Sequence, residues 1–422
     1  MTGSWQGLAL ADTDGAEVTD QELFARFQPI FDRIADGAVD RERERRLAID
    51  EVGWLREAGF GAVRVPRAAG GGGASLRQLY RLLVALGRAD SNLPQALRQH
   101  FFHVEMLILG DGAERNRDLV QHVVAGDLFG NATTEAGDAV LGKIGTRIVP
   151  APDGEGFLLS GRKFYSTGNL YAQWVPVAAV DEHDAPVSVL VPRDREGVVV
   201  HDDWRGFGQR LTASGTTEFH DVRVAASEVL RIDEPGSILG AGFHQLVLLA
   251  TLAGIAGAAS RDSVRLVQAR KRVHTTGPGL LPVNDPIVQT SVGQSVAAEV
   301  QAAALVDATA AVIEDAWRSW NDPAAGPEHT TELFVRAELV VAAAQAVIVP
   351  TVIETTGRLF DTLGASALDE GQALDRHWRN ARTVSSHNPH LYKARMLGDY
   401  ALNGTLPQGF QAGSDVGRLP GA

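Results

Sequence analysis

Asp375-Arg376-His377-Trp378-Arg379-Asn380-Ala381-Arg382, running on to His387-Asn388-Pro389, is the stretch whose reading decides the fold. It sets arginines, an indole and an imidazole in one short segment of an acidic chain. Cations near the end of a helix favour its negative pole, so a helix cap is one reading. A ligand-facing segment is the other, and the residues beyond Arg382 separate the chemistries open to it.

Upstream of this segment, from about Ala241, alanine, leucine and valine recur with helical periodicity. Ser295 to Trp320 and Glu332 to Leu359 carry few charges, and such broad apolar faces need burial in a bundle or against another subunit. The pattern changes between residues 128 and 232. Phe157 to Ser166, Trp174 to Val180, Val187 to Val191, Gly197 to Val200 and Thr216 to Val224 read as strands, separated by turns at Gly154, Gly156, Gly168 and Asp181 to Asp184. Helical spacing returns nearer the start, with Leu23, Phe24, Phe27 and Ile30, then Leu76 to Leu86, Leu93 to Leu109 and Glu114 to Val124. The expected division is an N-terminal helical domain over 1–127, a β domain over 128–232, and a helical bundle with its tail over 233–422.

The chain has 422 residues, and 39 Lys+Arg against 52 Asp+Glu leave a net charge of -13. That balance argues against a general footprint for nucleic acid or an anionic membrane. With no cysteine, disulfides and thiolate chemistry are excluded. No His/Asp/Glu spacing makes a metal site. Residues 1–30 are acidic and lack a long apolar run, which predicts a cytoplasmic protein with neither signal peptide nor anchor.

Four motifs carry a resemblance across nearly the whole chain. They are Phe129-Gly130-Asn131-Ala132-Thr133-Thr134-Glu135, Gly161-Arg162-Lys163-Phe164-Tyr165-Ser166-Thr167-Gly168, Gly206-Phe207-Gly208-Gln209-Arg210-Leu211-Thr212-Ala213-Ser214-Gly215-Thr216, and the arginine-rich stretch itself. Together they resemble the acyl-CoA dehydrogenase superfamily, and within it most closely the reduced-flavin-dependent dibenzothiophene and sulfone monooxygenases. The resemblance implies a mainly α fold with an N-terminal helical domain, a central small antiparallel β barrel and a C-terminal four-helix bundle.

It also implies roles. Asn131, Thr133 and Thr134 would lie along the flavin, with Thr167 and Ser214 as further contacts and Trp204 bordering the flavin and substrate cavity. Arg270 would reach the flavin phosphate, often in a neighbouring subunit, and Arg376 and Arg379 of the arginine-rich segment would also bind the flavin. His274, Thr275 and Thr276 would cover the cavity. The catalytic candidates are His100, His387, Asn131, Thr167 and Tyr165. Read from the residues alone, plainer alternatives stay open: a turn at 131–135, ordinary core for Trp204, a solvated charge run at Arg270, and structural histidines at 100 and 387.

The end of the opening stretch separates two chemistries. Many acyl-CoA dehydrogenases carry a catalytic glutamate after the arginine-rich segment; here Arg382-Thr383-Val384-Ser385-Ser386-His387-Asn388-Pro389 follows, and no glutamate occurs from Arg382 to the end. The alternative position for that base, within Thr251 to Gly257, also lacks an acid. His387 matches the histidine of the monooxygenase pattern instead. The implied function is a two-component monooxygenase, in which dioxygen adds at C4a of a reduced flavin and the hydroperoxide oxygenates a sulfur, a nitrogen or an electron-rich aromatic carbon. Reduced FMN is the expected cofactor, with FAD as the alternative and dioxygen as co-substrate. A separate NAD(P)H-dependent flavin reductase and a homotetramer are the expected partners. An FAD-dependent acyl-CoA dehydrogenase with an unconventional base is the competing function.

Overall fold

The computed structural model describes residues 16–109, 114–135, 144–231, 236–273, 277–322 and 324–407. The expected cover at His274 to Thr276 and the tail from Gln408 lie outside the described residues. The first helices are α1 (Asp20–Asp36), α2 (Ala38–Glu44), α3 (Ile49–Glu57), α4 (Leu76–Ala89), α5 (Asn92–Leu109) and α6 (Glu114–Val124). Thr19 starts α1 by a reciprocal cap, its hydroxyl accepting from the Glu22 N–H while the Glu22 carboxylate accepts from the Thr19 N–H. Leu23, Phe27, Phe31 and Ile34 then fall on one buried face.

After the sheet come α7 (Gly236–Ala269), α8 (Pro286–Trp320), α9 (Pro327–Leu363), α10 (Asp375–Ser385) and α11 (His390–Asn403). α7, α8 and α9 pack on one another, α10 packs on α7 and α9, and α11 lies on α9. The same α7 also receives α4 and α5. One continuous core therefore joins the two helical regions: Leu79, Leu83 and Leu86 meet Leu246, Leu249 and Ala253, and Ala381 and Val384 of α10 belong to it.

The sheet corrects the expected barrel. Its strands are β1 (Arg147–Pro150), β2 (Phe157–Lys163), β3 (Trp174–Val180), β4 (Pro186–Pro192), β5 (Val198–Val200), β6 (Thr217–Val224) and β7 (Val229–Arg231). They stand in the order β5-β6-β2-β1-β3-β4-β7, so β5 and β7 are edges and the sheet is open. Nor is it purely antiparallel, because β1 runs parallel to β3 at Arg147 and Val180. The physical reason lies in the strands at the margin: β5 and β7 have 3 residues each and offer too short a ladder to close on one another. Alternating apolar residues mark a strand and its buried face, but not which neighbour it pairs with or in which direction. β2 is bulged between Leu159 and Gly161, and a Cβ at Gly161 would stand 2.5 Å from Thr146 Oγ1, so only glycine admits that approach.

Candidate active site

β2 ends at Lys163, earlier than its apolar pattern indicates. The Lys163 ammonium is buried and donates to Glu135 Oε1 at 2.7 Å and to the Thr133 carbonyl at 3.2 Å. Glu135 also accepts from the N–H groups of Gly145 and Thr146. Partial burial acts to raise its pKa, but Lys163 and these donors outweigh it and set it at about 2. The motif from Phe129 to Glu135 is thus tied to the sheet at its end, while Gly130 and Ala132 donate to the carbonyls of Trp174 and Pro176 along β3.

Beyond Lys163 the chain turns sharply. Tyr165 has φ +62°, a left-handed conformation costly for an aromatic residue, and its side chain is 48% exposed. Its carbonyl accepts from Thr167 N at 2.7 Å, and from Thr167 Oγ1 and Asn131 Nδ2 at 3.4 Å. Gly168 follows at φ +86°, and a Cβ there would stand 2.4 Å from the Ala96 carbonyl, so the turn sits directly on α5. The buried hydroxyls of Thr167 and Ser166 have different surroundings. Thr167 Oγ1 meets Ser214 Oγ at 2.7 Å, and Ser214 meets Thr212 at 2.7 Å, whereas Ser166 Oγ is buried without a partner.

Asn131 is the hub of this polar strip. Its Oδ1 accepts from Thr133 Oγ1 at 2.8 Å and from Gln99 Nε2 at 3.4 Å, and its N–H donates to Asn169 Oδ1. Thr133 and Thr134 are exposed. Trp204 donates from Nε1 to the Gln209 carbonyl and stands edge-on to Tyr165, with 5.9 Å between ring centroids. The loop folds over the indole because residue 206 is glycine, a Cβ there lying 2.1 Å from the ring.

The two candidate histidines differ. His100 is fully buried on α5; its Nε2 bonds the Gly61 carbonyl at 2.9 Å and its Nδ1 accepts from the Phe129 N–H at 3.2 Å. Both nitrogens are occupied by main chain, which fixes the neutral tautomer with the proton on Nε2. Burial lowers its pKa to about 4. His387, just past α10, has its Nε2 at 3.1 Å from Arg98 Nη2 and so accepts there, leaving Nδ1 to carry the proton. Desolvation, then the Arg98 charge, lowers its pKa to about 4 although its outer edge reaches the surface. Gln99, next to Arg98 in sequence on α5, bonds Asn131 at 3.4 Å and His244 at 2.7 Å.

The arginines of the opening stretch lie elsewhere. Arg376 donates to Asp262 Oδ2 at 2.8 Å and to two carbonyls, and His377 meets the same carboxylate oxygen at 2.9 Å. Arg379 is held by Asp375, Glu42 and the Phe207 carbonyl. Arg270, at the end of α7, donates to the Leu363 carbonyl at 2.7 Å. The fold therefore gathers Asn131, Tyr165, Thr167, Ser214 and Trp204, while His387 pairs with Arg98 on α5, the helix that also carries Gln99. It does not bring Arg270, Arg376 or Arg379 to them within one chain. Arg98 and Ser166 emerge only in three dimensions, because a sequence does not display a missing partner. A separate cleft of about 590 Å³ between α1, α4, α7 and α8, lined by Phe24, Phe31, Val84 and Ala253, is bordered by none of these residues.

A strip of amide and hydroxyl groups, one of them buried and unpaired, beside an open aromatic wall suits a planar, polar-edged ring system such as a flavin. Fold and site together define a flavoenzyme of the acyl-CoA dehydrogenase type. The family pattern "Acyl-CoA dehydrogenase, C-terminal domain" matches residues 246–391. The chain is 30% identical over 387 residues to a dibenzothiophene monooxygenase of Mycolicibacterium goodii, covering 87% of this chain and 91% of that protein. The crystal structure of FMN-bound TdsC from Paenibacillus sp. A11-2 superposes with a TM-score of 0.82 at 27% identity, covering 92% of this chain and 98% of that one. Methanesulfinate monooxygenase MsuC from Pseudomonas fluorescens gives a TM-score of 0.80 at 28% identity, covering 91% and 97%. The chain belongs to the acyl-CoA dehydrogenase superfamily, in the group of the flavin-dependent dibenzothiophene and sulfone monooxygenases.

Proposed function

We propose that this protein is the oxygenase component of a two-component system, using externally supplied reduced FMN and dioxygen to oxygenate a substrate held between α5, the Tyr165 turn and the loop at His387. The observation that carries this reading is the pairing of His387 with Arg98, where a dehydrogenase of this superfamily often places a carboxylate base. Neither group is anionic. A nearby carboxylate would oppose developing negative charge, whereas a guanidinium and a neutral N–H donor favour it.

Reduced FMN supplies the two electrons that activate dioxygen, one oxygen atom going to the substrate and the other leaving as water. Asn131, Thr167 and Ser214 hold and orient the ring system, with Tyr165 and Trp204 as its wall. His387 Nδ1 donates to the oxygen that departs, and Arg98 keeps the imidazole in that tautomer. His100 is a positioning residue that fixes α5 against the Phe129 segment. Arg270 reaches the flavin phosphate across a subunit boundary of a homotetramer, while Arg376 and Arg379, bound to Asp262 and to Glu42 and Asp375 of their own chain, hold α10 in place. A separate NAD(P)H-dependent reductase delivers the reduced flavin in the cytoplasm.

The relatives named above act on a fused thiophene and on methanesulfinate, so a soft sulfur is the favoured acceptor here. The test uses chemically reduced FMN, isotope-labelled dioxygen and no reductase, with product analysed by mass spectrometry. One labelled oxygen per product molecule is expected. Reduction of bound flavin by acyl-CoA thioesters under anaerobic conditions, with no labelled product, would replace this function by the dehydrogenase one.

A further inference from the structure

The cleft of about 590 Å³ between α1, α4, α7 and α8 is floored by small residues. Ala253, Gly254 and Gly257 of α7 lie beside Ala85 of α4, and a Cβ at Gly254 would stand 2.5 Å from the Gly87 carbonyl carbon. Over so low a floor, Phe24 of α1 and Val300 and Ala303 of α8 stay only half-buried on the flanking helices. Along α4 the lining runs from Arg81 to Arg88, which at 1.5 Å per residue makes a trough about 10 Å long.

The two ends of the trough differ in charge. Arg81 is bound by Asp20 and Asp307, and Asp307 also holds Arg77, so that end is neutralised. At the other end the side chains of Arg88 and Arg261 are 34% and 37% exposed, open to a ligand. Glu299 meets Arg88 at 3.2 Å. Arg261 stands 3.7 Å from Asp262, a carboxylate held more closely by Arg376 at 2.8 Å and His377 at 2.9 Å and approached by Arg265 at 3.9 Å. Burial, then the Arg376 charge, lowers the His377 pKa to about 4, so this imidazole is neutral. Arg88, Arg261, Arg265 and Arg376 are thus answered by Glu299 and Asp262. Even with Asp32 of α1, which lines the cleft and accepts from Gln28, the cations are in excess. Burial lowers the Arg261 pKa, and Arg88, Arg376 and Arg265 lower it further against the opposing pull of Asp262.

We infer that this cleft is a second ligand site, separate from the flavin site, and that it takes a medium-chain carboxylate whose tail lies on Ala85 and Ala253 and whose head meets Arg88 and Arg261. An apolar trough of this size suits a small organic ligand, and covering its half-buried side chains removes them from water. The two guanidiniums at its mouth offer planar donors to a carboxylate, and the surplus of positive charge favours an anion over an alcohol or an amine. An apolar body about 10 Å long corresponds to a chain of about eight carbons. The site shares no residue with the flavin strip, so it stands independent of the oxygenase reading.

The experiment measures octanoate, octan-1-ol and octylamine binding to the full chain by calorimetry, with and without oxidised FMN. Octanoate is expected to bind at least about tenfold more tightly than the alcohol or the amine, with an affinity that falls as salt is raised and is the same whether or not FMN is bound. Ala303→Phe, which fills the trough from α8, should abolish octanoate binding. Arg261→Gln should bring octanoate down to the affinity of the alcohol, and Arg261→Lys should keep part of the preference; these two carry the test should Ala303→Phe fold poorly. FMN affinity should match wild type in all three variants. Octylamine binding as tight as that of octanoate, or undiminished octanoate binding by Arg261→Gln or by folded Ala303→Phe, overturns the proposal. Competition between octanoate and FMN does so too, because the anion then occupies the flavin site. If wild type binds no octanoate and Ala303→Phe changes the oligomeric state in sedimentation, the cleft is a contact between copies of this chain and the proposal fails.

Discussion

At the level of single residues, the same residue type at two positions has opposite uses. His100 gives both ring nitrogens to main-chain partners, and charging it would break the hydrogen bond from Phe129. Its pKa is about 4 in the folded chain against 6.5 when free, so the unfolded state binds the proton first. The stability this histidine contributes is present above pH 6.5 and is lost as pH falls toward 4, on the order of 3 kcal/mol in all. Denaturant titrations at stepped pH should show that fall in wild type and a shallower one in His100→Gln. His387, by contrast, is held by side chains, Arg98 at Nε2 and the neighbouring Asn388, and His387→Ala should lower the yield of oxygenated product about 10² to 10⁴-fold while uncoupled peroxide rises, read by a peroxide assay. Sequence made both histidines visible as candidates. It could not tell them apart, because their difference lies in residues 39 and 289 positions away in the chain.

Among elements, α10 shows how a short basic helix is built into a core. Its buried face presents Arg376 and His377 to a single carboxylate on α7, Asp262, which burial works to raise but His377 and Arg376 pull well below the usual range. Asp262→Ala leaves that guanidinium without its counterion and should cost roughly 3–5 kcal/mol, measured by chemical denaturation. The opening stretch was legible as a marker of the fold, and its helix and its ending at His387 stand in the structure. Its contacts were not, since Asp262 lies 114 residues from Arg376. Helix and strand positions were largely readable from periodicity: β3 coincides with Trp174 to Val180 and α6 with Glu114 to Val124. The parallel step between β1 and β3 and the open edges were not, because alternation is the same for either direction of pairing. The turn at Gly168 depends on close approach to α5, so Gly168→Ala should push the Thr167 side chain out of place and weaken FMN binding, read by flavin fluorescence.

For the whole molecule, the segments Gly242–Ala269, Pro286–Trp320 and Pro327–Leu368 are each long and apolar enough to cross a membrane. Of their most apolar windows, 89%, 44% and 50% respectively are buried within the chain. The first is thus an interior helix, while the other two keep an open apolar side. Ile287, Leu391, Tyr392 and Leu402 add exposed apolar area on α8 and α11. This supports the proposed homotetramer, in which such faces meet across subunits. Sedimentation should give a tetramer, and charged substitutions such as Leu391→Glu with Leu402→Glu should yield smaller species.

The central claim is that this chain passes oxygen from a reduced flavin rather than hydride to an oxidised one. It is tested most directly by mixing the anaerobic complex of protein and reduced FMN with oxygenated buffer in a stopped-flow spectrometer, with no substrate present. A near-ultraviolet transient that persists before oxidised FMN appears, and that outlives the same transient in free flavin, is the predicted result. Direct conversion to oxidised FMN at the rate of free flavin, with either FMN or FAD, would contradict it.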